Sequence, residues 1–268
     1  MYPILLLVVL LVVFFVIKPN VYYSLKSIYG SQLQWFGYEE IGNRIIANSF
    51  SKMDGLIPSQ MYHASSVQNT KNGNYDEAIA YLNKAISMSP MDGDGYMGWV
   101  LLYYYRDYER ALFHLNRLEA STVENTKYVS DDHFLYAKGL CHKQLEDYES
   151  ALDLFSRAIE DELKNQDGIL ITHQMYFQKG RTLDLLDRPD EAIVFYDKAI
   201  EKWSGSSESL FYKGLAQIKL GATEKGCSNL KSARNKVVKG IKSADSYVRL
   251  FDEVYQFQIE EAIERLCL

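Results

Sequence analysis

The sequence predicts an all-α chain in which one helix hairpin is repeated in tandem. Three observations carry this. A phrase recurs four times, as NYDEAIAYLNKAI (74–86), DYERALFHLNRL (107–118), DYESALDLFSRAI (147–159) and RPDEAIVFYDKAI (188–200). Each copy spaces small and large apolar residues at helical offsets. Proline is scarce, 5 in 268 residues, while 47% of the chain is apolar and able to form a core.

The first element is MYPILLLVVLLVVFFVI, residues 1–17, which carries no charged side chain. About sixteen residues at ~1.5 Å each span about 24 Å, slightly short of a ~30 Å hydrocarbon core. Lys18 can snorkel, and Tyr22 and Tyr23 suit the membrane interface. Residues 1–18 therefore read as a transmembrane anchor or a signal segment. An uncleaved anchor is favoured, because no Lys or Arg precedes the run and KPNVYYSLKSIYG after it makes a poor cleavage site. Lys18 and Lys26 follow the span with none before it, which places the rest of the chain in the cytoplasm. A periplasmic or luminal domain is the reverse orientation.

Residues 19–58 read as a juxtamembrane segment and capping helix, with Trp35, Phe36, Ile41, Ile45 and Ile46 as its core candidates. The repeats follow. Aligned on their first small residue, Ala78, Ala111, Ala151 and Ala192 are 33, 40 and 41 residues apart. A looser fifth copy places Gly226 in that slot, 34 residues on. Four positions later stand Leu82, Leu115, Phe155, Tyr196 and Leu230; seven later stand Ala85, Leu118, Ala158, Ala199 and Ala233. Offsets of four and seven share one helix face. Small residues there let a neighbour approach, and the large one fills the gap.

A second helical pattern precedes each phrase. In three copies a glycine stands twelve residues before the small residue: Gly139, Gly180 and Gly214. Glycine inside a helix costs about 1 kcal/mol against alanine, so its recurrence implies a close crossing that offsets the cost. The second copy departs, with Trp99 in the glycine slot, Gly98 one residue early and Leu118 in a small-residue slot, which predicts a wider crossing. The first copy has Ser66 at that site and a polar first helix. The 40- and 41-residue spacings imply insertions in STVENTKYVSDD and ELKNQDGILITH. Residues 243–266 show apolar residues every three to four positions, which predicts one closing helix within 241–268.

A helix–turn–helix unit recurring at about 34 residues marks a solenoid. Residues 59–240 resemble the tetratricopeptide-repeat family over about five repeats, the first and second divergent. The resemblance implies a right-handed α-solenoid whose first helices line a concave groove that binds a protein or extended peptide. In the family's register, Tyr96, Val100 and Tyr103 face that groove, then His133, Tyr136, Leu140 and Lys143. Gln174, Phe177, Arg181 and Asp184 follow, then Glu208, Phe211, Leu215 and Ile218. The partner-binding candidates are Tyr96, Tyr103, Tyr136, Leu140, Phe177, Arg181, Phe211 and Leu215, since aromatic anchors and Arg dominate protein hot spots. The Lys and Asn clamp that some members use for a peptide carboxyl terminus is missing, because Tyr136, Leu140, Phe177, Arg181, Phe211 and Leu215 occupy those positions.

Chemistry and other partners find no support. The net charge of −6 disfavours nucleic acid. No phosphate loop, HExxH, GxSxG or dinucleotide fingerprint occurs, so no cofactor, small-molecule substrate or catalytic residue is expected. The five histidines are scattered, and no metal is expected. Cys141, Cys227 and Cys267 are odd in number and widely spaced, and read as inert thiols of a reducing compartment. The expected function is a membrane-anchored, non-enzymatic scaffold; the alternative is a structural subunit of a larger membrane complex with no free peptide ligand.

Overall fold

The computed structural model describes residues 19–53, 57–121, 128–130, 132–166, 168–245 and 248–267. Residues 1–18, which carry the anchor expectation, lie outside them. Among the described residues no helix is long and apolar enough to cross a membrane. The chain divides into two units, Met1–Asp94 and Gly95–Leu268.

In the first unit, α1 (Pro19–Trp35) pairs with α2 (Glu39–Lys52), and α3 (Ser59–Lys71) pairs with α4 (Tyr75–Met88). Gly30 and Gly42 bring α1 and α2 into backbone contact: a Cβ on Gly42 would lie 2.5 Å from the Gly30 carbonyl. Ile46, Phe50, Met53 and Ile57 form the core, with the Phe50 ring 5.0 Å from Tyr62 and 5.6 Å from Tyr81. Only Ile46 of the five apolar candidates for this region is buried. Ile45 is half-buried, while Trp35 (70% exposed), Phe36 (73%) and Ile41 (52%) face outward.

The polar first helix of the first repeat forms after all. Ser65, Ser66, Asn69 and Thr70 of α3 are buried. Their side chains turn back onto the helix: Ser66 Oγ donates to the His63 carbonyl, Asn69 to Ser65 and Thr70 to Ser66, at 2.7–2.9 Å. These bonds satisfy the side-chain donors of Ser66, Asn69 and Thr70 within the helix itself.

The second unit continues the hairpins. It comprises the rest of α5 (Pro90–Val100), α6 (Tyr108–Ser121), α7 (Phe134–Gln144), α8 (Tyr148–Gln166), α9 (His173–Leu185), α10 (Pro189–Lys202), α11 (Ser207–Lys219), α12 (Thr223–Val238) and α13 (Gln256–Leu266). Each predicted glycine is wedged at a crossing. A Cβ on Gly139 would meet the Phe155 ring at 2.7 Å; on Gly180, the Tyr196 ring at 2.8 Å; on Gly214, the Gly226 carbonyl at 2.9 Å. Ala111, Ala151, Ala158, Ala192, Ala199 and Ala233 are fully buried.

The misplaced glycine of the second copy has a structural reason. Leu101–Tyr105 form a π-helical turn between α5 and α6. Such a turn inserts one residue into a helix. Gly98 therefore still meets the second helix, with its added Cβ 2.7 Å from Leu115. The wide crossing expected from Leu118 does not follow either: Gly95 makes room, with its added Cβ 3.1 Å from Leu118.

The two insertions differ. The described residues at the end of the first form a two-residue antiparallel ladder, β1 (Tyr128–Val129) with β2 (Asp132–His133), ahead of α7. The second is largely absorbed by α8, which runs 19 residues against 14 for α6 and α10.

The C-terminal region departs from expectation. The closing helix starts at Gln256, not Ser243, and packs Ile259 and Ala262 on Leu210, Phe211 and Leu230 of the last hairpin. Upstream, α12 ends before Gly240, whose φ of +72° turns the chain out of the helix. A second left-handed residue, Asp252 (φ 56°), breaks the apparent apolar periodicity. The thiol expectation also fails for two cysteines. Cys227 of α12 and Cys267 after α13 form a disulfide, their Cα atoms 5.6 Å apart although 40 residues separate them in sequence. Sequence spacing could not anticipate the helix pair that brings them together. Cys141 is a buried free thiol, pushed up to about 12 by burial.

Candidate functional site

In the second unit the first helices of successive hairpins supply one lining, and residues 248–255 of the same chain lie along it. Phe251 enters an aromatic seat. Its ring centroid is 5.6 Å from Tyr103 and 6.2 Å from Tyr108, and the Arg106 guanidinium lies 4.1 Å over it. Arg106 leaves the π-helical turn in a left-handed conformation and also donates to the Arg249 carbonyl at 2.5 Å.

Asp252 follows with its carboxylate between two cations. Lys143 of α7 donates to one oxygen, and the Arg181 Nε of α9 lies 3.5 Å from the other. Gln178, also on α9, donates from its side-chain amide to the Phe251 carbonyl at 3.2 Å and accepts from Lys143. The Lys143 side chain is only 2% exposed. Burial lowers its pKa, and Asp252 opposes that effect. Burial raises the Asp252 pKa, but Lys143 and Arg181 outweigh it and hold the carboxyl below its usual range. Burial likewise opposes the Arg181 charge, but Tyr196 and Asp252 outweigh it and raise its pKa. A half-buried carboxylate hydrogen-bonded to a buried lysine and flanked by an arginine is a fixed recognition point rather than a loose surface pair.

The sequence-derived groove residues divide into three kinds. Tyr103 and Arg181 touch the 248–255 segment directly, and Arg181 also stacks on Tyr212 at 3.9 Å and meets Asp184 at 3.4 Å. Leu140 and Phe177 have no exposed surface, and Tyr136 is buried against Phe155 at 5.5 Å, so these three belong to the packing between helices. Phe211 and the half-buried Leu215 pack with α13, while the half-buried Tyr96 stacks on Trp99 at 5.7 Å. Lys143 was legible through the repeat register. Gln178, one position beyond Phe177, was not. Phe251 and Asp252 were hidden inside an apparent amphipathic helix.

Among the described residues, one set of metal-competent atoms converges: His133, Asp161 and Glu162, within 4.8 Å of one another. Hydrogen bonds account for it. His133 Nδ1 accepts from the Leu135 N–H at the start of α7, which leaves the proton on Nε2, facing Asp161 at 3.1 Å. Tyr128 donates to Glu162 at 2.6 Å. The set ties the insertion to α7 and α8.

A second surface lies in the first unit. Leu25, Ile28, Tyr29, Trp35, Phe36, Tyr38 and Ile41 are exposed along α1 and its turn into α2. Leu25, Ile28 and Tyr29 share one face of α1 at offsets of three and four, and Trp35, Phe36, Tyr38 and Ile41 extend the apolar surface through the turn into α2.

A sequence model of the tetratricopeptide repeat matches residues 60–91, 132–160 and 173–201. A search of curated proteins found no match. Among solved structures, the chain resembles PilW, described as a widely conserved type IV pilus biogenesis factor, at 13% identity and TM-score 0.62, covering 81% of this chain and 94% of that one. It resembles YrrB, a TPR protein with an unusual peptide-binding site, at 20% identity and TM-score 0.52, covering 66% and 84%. MamA from Desulfovibrio magneticus RS-1 matches at 15% identity and TM-score 0.56, covering 68% and 96%. At these identities the likenesses establish the fold: an all-helical solenoid carrying tetratricopeptide repeats.

Proposed function

We propose that this tetratricopeptide-repeat protein is a membrane-tethered scaffold that holds a protein partner's extended segment along the first helices of its second unit. One observation carries the reading: that face already grips a non-helical stretch of chain, through side chains from the π-helical turn, α6, α7 and α9. Repeat proteins offer extended surfaces of this kind, and the unusual peptide-binding site of YrrB fits the same use. No step of chemistry is part of the proposal.

The tether is residues 1–18, and the exposed aromatic stripe of α1 supports it, because Tyr and Trp settle at membrane interfaces. The Cys227–Cys267 bond favours the oxidising side for the repeats, against the lysine bias toward the cytoplasm. Protease protection of intact vesicles tests both points. Protected repeats and a membrane-bound chain support the reading; repeats digested from the cytoplasmic side reverse the orientation, and a chain washed off the vesicles ends the tether.

Photo-crosslinking residues at Tyr96 and Leu215 test the scaffold itself. Partner adducts in native membranes support it, and their absence with the folded protein in place opposes it. The alternative, an assembly subunit without a free ligand, draws on the same segment, since the lining is already filled. In that case the detergent-extracted chain co-migrates with fixed partners on sizing.

A further inference from the structure

Resting on the groove reading above, we infer the ligand's chemistry: an extended peptide of another protein carrying an aromatic residue directly followed by a carboxylate. The chain's own Phe251–Asp252 is the imprint. Three features read this pair in order. The Tyr103–Tyr108–Arg106 seat takes a ring. Gln178 takes the carbonyl between ring and acid. Lys143 and Arg181 take the acid.

The readers come from three places in the stack, the Leu101–Tyr105 turn with the start of α6, then α7, then α9, which carries both Gln178 and Arg181. A residue that served only to fill space would need no buried lysine. Lys143 is buried, loses stability through desolvation and is matched by one partner charge. The seat's selectivity follows: an aromatic–amide pair leaves Lys143 without its counter-charge, and an aliphatic–acid pair loses the cation–π contact with Arg106.

The segment is tied at both ends, to α12 through Gly240 and to α13, which the Cys227–Cys267 bond holds. A peptide from outside therefore competes with a resident of high effective concentration.

Fluorescence anisotropy tests this with a fluorescein-labelled peptide of sequence VRLFDEVY and a control, VRLANEVY. The full chain and its Phe251→Ala/Asp252→Asn variant are compared. The folded variant is expected to bind VRLFDEVY at least ten-fold more tightly than the wild type does, and at least ten-fold more tightly than it binds the control. Equal binding of both peptides, or none, by a variant with wild-type circular dichroism overturns the inference.

Should the variant fail to fold, 4-fluorophenylalanine at position 251 of the otherwise native chain serves. Millimolar VRLFDEVY is expected to move its fluorine resonance to the solvent-exposed position, and an unmoved resonance at saturation overturns the inference. If the variant instead pairs with wild-type chains as a dimer on sizing, the occupant is a second copy, which also overturns it. Partner adducts at Tyr96 and Leu215 without peptide selectivity would remove this inference and leave the scaffold reading standing.

Discussion

Gly180→Ala asks whether the repeats are held by close helix crossings. In an exposed helix this change stabilises by about 1 kcal/mol. Here the new Cβ would sit 2.8 Å from the Tyr196 ring and 3.3 Å from the Ala192 carbonyl. The ring cannot easily retreat: Tyr196 has no exposed surface, and its hydroxyl donates to Asp184 at 2.7 Å. Overpacking a closed core costs about 1–3 kcal/mol. Set against the helix gain of about 1 kcal/mol, the net expectation is a loss of about 1 kcal/mol. Urea denaturation followed by circular dichroism measures it, beside Tyr196→Leu and the double variant. Removing the ring should restore the helix gain, giving a coupling energy of about 1–2 kcal/mol. A stabilised Gly180→Ala single variant, or additive effects, would refute the reasoning.

Asp252→Asn removes the partner of a buried lysine and should destabilise the second unit by about 3 kcal/mol, read as a lower urea midpoint. The same group gives a pH dependence. Its folded pKa lies below the ordinary 3.8, so its contribution is complete above that value and fades as pH falls through the lower folded value. The fluorine signal of 4-fluorophenylalanine at 251 should hold at neutral pH and shift only below about pH 4. Reduction of Cys227–Cys267 opens a loop of 40 residues and should cost about 4 kcal/mol on the chain-entropy account, with α13 the first element to exchange its amides.

The repeat was legible because its signal is short-range and redundant. Gly139, Gly180 and Gly214 and the alanine slots recur in helical phase, so one wrong position leaves the pattern intact. The second copy looked defective only because an inserted residue in Leu101–Tyr105 is silent in sequence, although its apolar and aromatic run would suit any buried helix. The capping regions misled for a related reason. Trp35, Phe36 and Ile41 have core chemistry, but nothing local says whether protein or something else covers them.

The groove was half legible. Register placed Tyr103, Lys143 and Arg181 on one face, yet it could not say that Phe251 and Asp252 return from over a hundred residues away to Tyr103. Val248, Phe251, Val254 and Tyr255 mimic a helical stripe. The departure is decided by long-range contacts with Arg106, Gln178 and Lys143 and by the left-handed backbone at Asp252. The Cys227–Cys267 pairing is equally non-local.

The most direct test places p-benzoylphenylalanine at position 251 of the full chain and maps the light-induced intramolecular crosslink by mass spectrometry. A crosslink into residues 101–108 is the predicted result, since Tyr103, Arg106 and Tyr108 surround that ring. A crosslink elsewhere in the chain, or capture of solvent alone, would contradict a resident segment seated among the repeats.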